Sequence, residues 1–130
     1  MTEKEKNDLI NYRLSRAKET LSEIQILIEN KLWHTSINRI YYACYYAVIA
    51  LLSQNNFSTH THSGVRQLLG LHFVKTGLIT KDLGRFFNNL YDKRQTGDYD
   101  DFIKFEKDEV IYFYENAKVF ISKIEKIIKS

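Results

Sequence analysis

The residue whose setting most demands an explanation is Arg94. Leu83, Phe86, Phe87, Leu90 and Tyr91 recur at helical spacing, and Arg94 occupies the next position on that stripe. At ~100° per residue, the eleven steps from Leu83 to Arg94 return to within about 20° of the same direction. A guanidinium there points where the apolar side chains point. It does not lose its charge, so away from water it needs an anion or several acceptors. Two fates are open to it. Either Arg94 faces inward as an anion-binding group, or the helix frays and it reaches solvent or pairs with Asp98, Asp100 or Asp101.

The other residue types capable of chemistry are less promising by spacing alone. His60 and His62 stand two apart in a polar stretch without a cysteine or carboxylate at ligand spacing, so no metal site is expected. His72 reads as a hydrogen-bonded core histidine and His34 as a solvated one. Gly64, Gly70, Gly77, Gly84 and Gly97 are scattered, which excludes a glycine-rich phosphate loop, and no cofactor is implied. Ser63 and Cys44 lack histidine and acid partners at recognisable spacing, and Cys44 in an apolar helix reads as a small core residue. Tyr41, Tyr42, Tyr45 and Tyr46 could stack on unpaired bases. Their helical spacing among Ile, Val and Leu fits core packing or a subunit contact better.

The elements that must position these residues are helices. There is no proline in 130 residues, so the strongest helix breaker is absent. Ile10, Leu14, Ala17, Leu21, Ile24 and Ile28 mark a first helix, starting within Thr2 to Asp8 with Thr2 and Glu5 at capping-box spacing, and ending around Asn30 to Trp33. A second runs from about Thr35 to Gln54 and is apolar nearly all round, which places it at the centre of a bundle or against another subunit. Asn55 to Thr61 reads as a loop. A third helix extends from His62 or Ser63 to Thr76, ended by Gly77. Thr80 caps a fourth, whose pattern is stopped by Gly97 and Asp98 to Asp101. The last carries Val110, Tyr114, Ala117, Ile121, Ile124 and Ile128. The expected fold is all-α, an up-and-down bundle of five helices in one domain over residues 1–130.

Bulk properties bound the function. A lone cysteine excludes an intrachain disulfide framework, and the polar N-terminus lacks a secretory apolar run, so a cytoplasmic location is expected. The apolar run from Ile40 to Leu52 is shorter than the ~20 residues needed to span a bilayer, and no membrane association is expected. A net charge of +3 permits RNA binding without arguing for it. Some of the nine tyrosines and eight phenylalanines will fill the core, and the tyrosine surplus also suits a surface buried by a partner.

Four strings in order carry a resemblance. Asn38-Arg39-Ile40-Tyr41-Tyr42-Ala43-Cys44-Tyr45-Tyr46-Ala47, His62-Ser63-Gly64-Val65, Phe73-Val74-Lys75-Thr76-Gly77 and Arg94-Gln95-Thr96-Gly97-Asp98-Tyr99 resemble the corresponding segments of prokaryotic HEPN proteins, across about residues 10 to 128. The resemblance implies a five-helix fold, a homodimer, an RNA or nucleotide ligand, and the toxin half of a toxin–antitoxin module whose partner is a small nucleotidyltransferase encoded nearby. It also implies metal-independent endoribonuclease activity, carried in active members by an Arg followed after four to six residues by a His. Arg94 matches the Arg, and Tyr99 stands where the His would be. Arg39, His62 and Asp98 fall within the matching strings and are further candidates.

Tyr99 in the histidine position changes the expected chemistry. Attack by a ribose 2′-hydroxyl needs proton transfer near pH 7, which an imidazole with a pKa of about 6.5 supplies and a phenol near 10 supplies poorly. Arg94 can still stabilise charge on the phosphorus oxygens. Three readings follow: an unconventional ribonuclease, a catalytically silent RNA, nucleotide or partner-binding module, or a toxin whose Tyr99 is modified by the partner transferase.

Overall fold

A computed structural model describes all residues from Met1 to Ser130. Helix α1 spans Glu3–Glu29, α2 Trp33–Gln54, α3 His62–Leu69, α4 Lys81–Tyr99 and α5 Lys107–Lys129, with no strands. This is the all-α, five-helix bundle expected. Its buried hydrophobic side chains form one contiguous cluster in which every helix takes part. No helix is long and apolar enough to cross a membrane.

The first cap is as the spacing predicts: Thr2 Oγ1 accepts from the Glu5 amide at 3.1 Å, and the Glu5 carboxylate accepts from the Thr2 amide. The α1 face of Ile10, Leu14, Ala17 and Ile24 is buried against α2, with Leu21 and Ile28 half-covered at its edge. Helix α2 begins two residues before the expected Thr35. It packs against α1, α4 and α5 and touches α3, so Ile37, Ile40, Tyr41, Ala43, Cys44, Ala47, Val48, Ala50 and Leu51 are all buried within one chain. The all-round apolar character of α2 thus has an explanation inside a single chain, and it no longer argues by itself for a second subunit.

Two helix ends differ from expectation. Helix α3 passes at Gly70 into a π-helical turn, Gly70–Val74, where the Lys75 amide bonds the Gly70 carbonyl at 2.9 Å. Gly77, at φ 85°, then reverses the chain as expected, in a conformation natural only to glycine. Thr80 caps α4 through the Leu83 amide at 3.2 Å. Helix α4 continues through Gly97 to Tyr99 instead of stopping there. The reason is packing: a Cβ at Gly97 would lie 2.7 Å from the ring of the buried Phe105, so the glycine admits that ring against the helix and does not break it.

His72 also departs from expectation. Its ring is half-buried and stacks on Phe57 with centroids 4.1 Å apart, in place of the predicted hydrogen bond.

Candidate functional site

Tyr41 is the floor of the site. It sits on the inner face of α2 with no exposed surface, its ring parallel to Phe87 at 5.8 Å and to Tyr45 at 5.9 Å. Tyr42 and Tyr91 meet it edge-on at 5.2 and 5.8 Å. The tyrosine pairs of α2 are therefore core at one edge and half-buried at the other, where with Tyr91 they form an aromatic cluster, hereafter the basin, because successive positions on a helix turn by ~100° and cannot all face inward.

Arg94 enters this basin from α4. Its side chain is 11% exposed, and its guanidinium carbon lies 4.8 Å from the Tyr41 ring centre, 5.4 Å from Tyr42 and 5.8 Å from Tyr91. Cation–π attraction of this kind is worth roughly 0.5 to 2 kcal/mol as desolvation increases. Nη1 donates to the Asp98 carboxylate at 3.1 Å, whereas Nε is buried without a partner. Arg94 thus faces inward and pairs with Asp98, not with Asp100 or Asp101, and it does so without fraying, since α4 stays helical to Tyr99. Desolvation works against the charge, but the hydrogen bond to Asp98 and the nearby tyrosines outweigh it, so the guanidinium holds its proton more firmly than usual.

His62 enters from the start of α3. Thr61 caps that helix by accepting from the Gly64 amide at 2.8 Å. A Cβ at Gly64 would fall 2.1 Å from Thr59 Oγ1, so the glycine lets the preceding loop close over the helix start that carries His62. The His62 ring lies 4.6 Å from Tyr45 and 5.6 Å from Tyr41, and its Nδ1 is 2.6 Å from the Tyr41 hydroxyl. Burial, followed by the positive charge of Arg94, pulls its pKa below 6.5, which favours a neutral imidazole. Burial raises the Tyr41 pKa strongly, so that hydroxyl keeps its proton.

Two further arginines flank the basin. The guanidinium of Arg39 stands 5.7 Å from the Tyr42 ring, and that of Arg66 stands 4.0 Å from Tyr91. Arg66 also lies 3.8 Å from Asp92, and its Nε is buried and unpartnered. Sequence reasoning did not single out Arg66 or Tyr91 as site residues. The signal was there, since Arg66 is four residues after His62 and Tyr91 three before Arg94, each pair sharing a helix face.

Of the candidates named from sequence, Arg94, Asp98, His62 and Arg39 come together around these tyrosines. Tyr99 does not. It is 80% exposed at the end of α4 and has no ring contact with the cluster. Five residues beyond Arg94 is ~140° round the helix, whereas Asp98, four beyond, is only ~40° away.

A family model for the HEPN domain matches residues 10–127, most of the chain and all of this cluster. The chain belongs to the HEPN domain family. Among related HEPN proteins, a "UPF0332 protein" of Thermotoga maritima is 42% identical over 129 residues, covering 99% of this chain and 96% of that one. Two proteins of Methanocaldococcus jannaschii, each named a "putative toxin", are 31% and 36% identical, covering 90% and 87% of this chain and 80% and 84% of their own.

Proposed function

We propose that this HEPN protein is the toxin of a toxin–antitoxin module and acts on RNA, binding a phosphodiester at Arg94 and cleaving it without a metal ion by attack of the ribose 2′-hydroxyl. The observation that carries this reading is the desolvated Arg94 guanidinium with an unpartnered Nε, set among tyrosines and flanked by Arg39 and Arg66. Charge-assisted hydrogen bonds to phosphate are the strongest that such a group makes, and the tyrosine edges offer stacking surface to unpaired bases. The names of the two archaeal relatives support the toxin assignment. The partner proposed is a small nucleotidyltransferase encoded nearby, and the setting is the cytoplasm, where RNA is its substrate.

The test is incubation of the purified protein with total RNA in EDTA. Discrete cleavage by the wild type and none by Arg94→Ala supports the reading, and absence of both binding and cleavage overturns it. A second reading, a catalytically silent RNA-, nucleotide- or partner-binding module, is favoured by Tyr99 standing where active members carry histidine. Binding without cleavage would select it.

A working homodimer belongs to the same proposal. Tyr99 and Phe102, 80% and 93% exposed at the end of α4 and just beyond it, offer aromatic surface to a second copy close to Arg94. Sedimentation at tens of micromolar should give a dimer, and a monomer would remove this part.

A further inference from the structure

Cleavage by a 2′-hydroxyl needs a group that moves a proton near neutral pH, and Tyr99 lies outside the basin where the phosphate would bind. We propose that His62 is that proton-transfer group, supplied from α3 instead of α4, and that Tyr41 is the residue that positions it. This rests on the reading of the basin as an RNA-cleaving site.

The geometry assigns separate tasks to the two imidazole nitrogens. Nδ1 is occupied by the Tyr41 hydroxyl at 2.6 Å. Tyr41 is itself held between Phe87 and Tyr45, so it anchors the ring to the core of the bundle. Tyr45, at 4.6 Å, supports one face of the imidazole. What remains for substrate is Nε2. Arg94 and His62 approach the same Tyr41 ring, at 4.8 and 5.6 Å from its centre, so a phosphodiester bound at the guanidinium keeps its ribose over the same basin as the imidazole. The groups facing His62 are Tyr41, Tyr42 and Tyr45 from α2, and Tyr91 and Arg94 from α4, with Asp98 behind Arg94; Arg66 is the next cation on its own helix. Partial burial, and after it the positive charge of Arg94, favour the neutral imidazole, which is the form a general base needs.

In the step proposed, Nδ1–H donates to the Tyr41 hydroxyl and Nε2 takes the proton of the 2′-hydroxyl. The 2′-oxygen uses the electron pair of that O–H bond to form its bond to phosphorus. The P–O5′ bond breaks with its pair on O5′, and that oxygen takes the proton back from the imidazolium. The products are a 2′,3′-cyclic phosphate and a 5′-hydroxyl. Nothing is oxidised or reduced, and no co-reactant is consumed.

The experiment uses the full-length protein in EDTA with a short RNA, measured under single turnover, and its uncleavable 2′-O-methyl counterpart, measured for affinity. His62→Ala and His62→Gln should lower the cleavage rate by about a hundredfold or more while leaving affinity for the 2′-O-methyl strand near that of the wild type. Added imidazole should restore part of the His62→Ala rate. Tyr41→Phe should retain binding but lower the rate and move the midpoint of the pH–rate profile. If both His62 variants cleave normally while Arg94→Ala is silent, the assignment of His62 is wrong and the site reading stands. Equal loss of affinity and rate without imidazole rescue would reduce His62 to a binding or structural group and overturn the assignment. Binding without cleavage by the wild type leaves His62 no proton to move and also overturns it. A wild type that neither binds nor cleaves RNA removes both proposals.

Discussion

Asp98 and Arg94 meet at 3.1 Å across one turn of α4, so one guanidinium donor, on Nη1, is already engaged by an anion. Asp98 is therefore a competitor for the proposed ligand. Removing its charge without changing its shape should tighten RNA binding: Asp98→Asn is expected to lower the dissociation constant two- to fivefold, on the order of 1 kcal/mol for a partly exposed pair. Fluorescence anisotropy with the 2′-O-methyl strand reads this directly. A weaker Asp98→Asn complex would mean that Asp98 orients Arg94 toward the ligand and does not compete with it.

Arg94 itself should behave as a phosphate fork. Arg94→Ala is expected to weaken binding ten- to a hundredfold, as befits loss of charge-assisted hydrogen bonds worth roughly 1.5 to 3 kcal/mol. It should remain folded, because the Asp98 it leaves behind is partly exposed and can hydrate. Arg94→Lys keeps the charge but loses the two-pronged geometry, so its affinity should fall between the two. Equal binding by all three proteins, with unchanged circular dichroism, would make Arg94 structural.

Tyr99 should tolerate change. At 80% exposure it buries little, so Tyr99→Ala and Tyr99→Phe are expected to shift stability by no more than about 0.5 kcal/mol in urea denaturation of the monomeric chain. Tyr99→His should not raise cleavage, since position 99 points ~140° away from Arg94 round α4. A gain in rate from Tyr99→His would relocate the acid/base position from α3 to α4.

The bundle was legible because its stripes are strict and two of its caps carry the required residue types: Thr2 and Thr80 each accept a backbone amide at a helix start. Arg94 was legible because it breaks a stripe. The tie between His62 and Tyr41 was not, since it joins residues 21 apart on helices whose approach depends on the close loop at Gly64. Gly97 misled for a related reason. A glycine in sequence signals either a freed backbone or a close approach, and only the position of Phe105 decides between them.

Gly97→Ala follows from that contact. The added methyl group would fall 2.7 Å from a carbon of the Phe105 ring, which is buried and also packs on His34 at 4.8 Å between centroids. Overpacking of this kind costs typically 1 to 3 kcal/mol, outweighing the ~1 kcal/mol that alanine gains over glycine in a helix interior. A lowered urea midpoint at unchanged helicity is expected, and a stabilised variant would show that the 105 segment is free to move aside.

Acid should destabilise the fold in two separate windows. His62 has a folded pKa below its ordinary 6.5, because of burial first and Arg94 second. Between that lowered value and 6.5 the unfolded chain binds more protons than the folded one, so stability rises with pH there and falls on acidification. Its contribution is complete above 6.5 and is lost as pH drops below that value. Glu125, bonded by Lys18 and Lys129, also has a lowered pKa, but from an ordinary value of 4.5, so its contribution is lost only below that pH. Urea midpoints measured from pH 7 to pH 3 should therefore decline first below about 6.5, and His62→Gln should remove that first decline while leaving the second. The ring signals of His62 in NMR should titrate below 6.5 in the wild type. In Arg94→Gln they should move upward but stop short of 6.5, because the burial remains when the charge is gone. An unshifted midpoint in Arg94→Gln would show that the two side chains do not sense one another, and with it the shared basin would be lost.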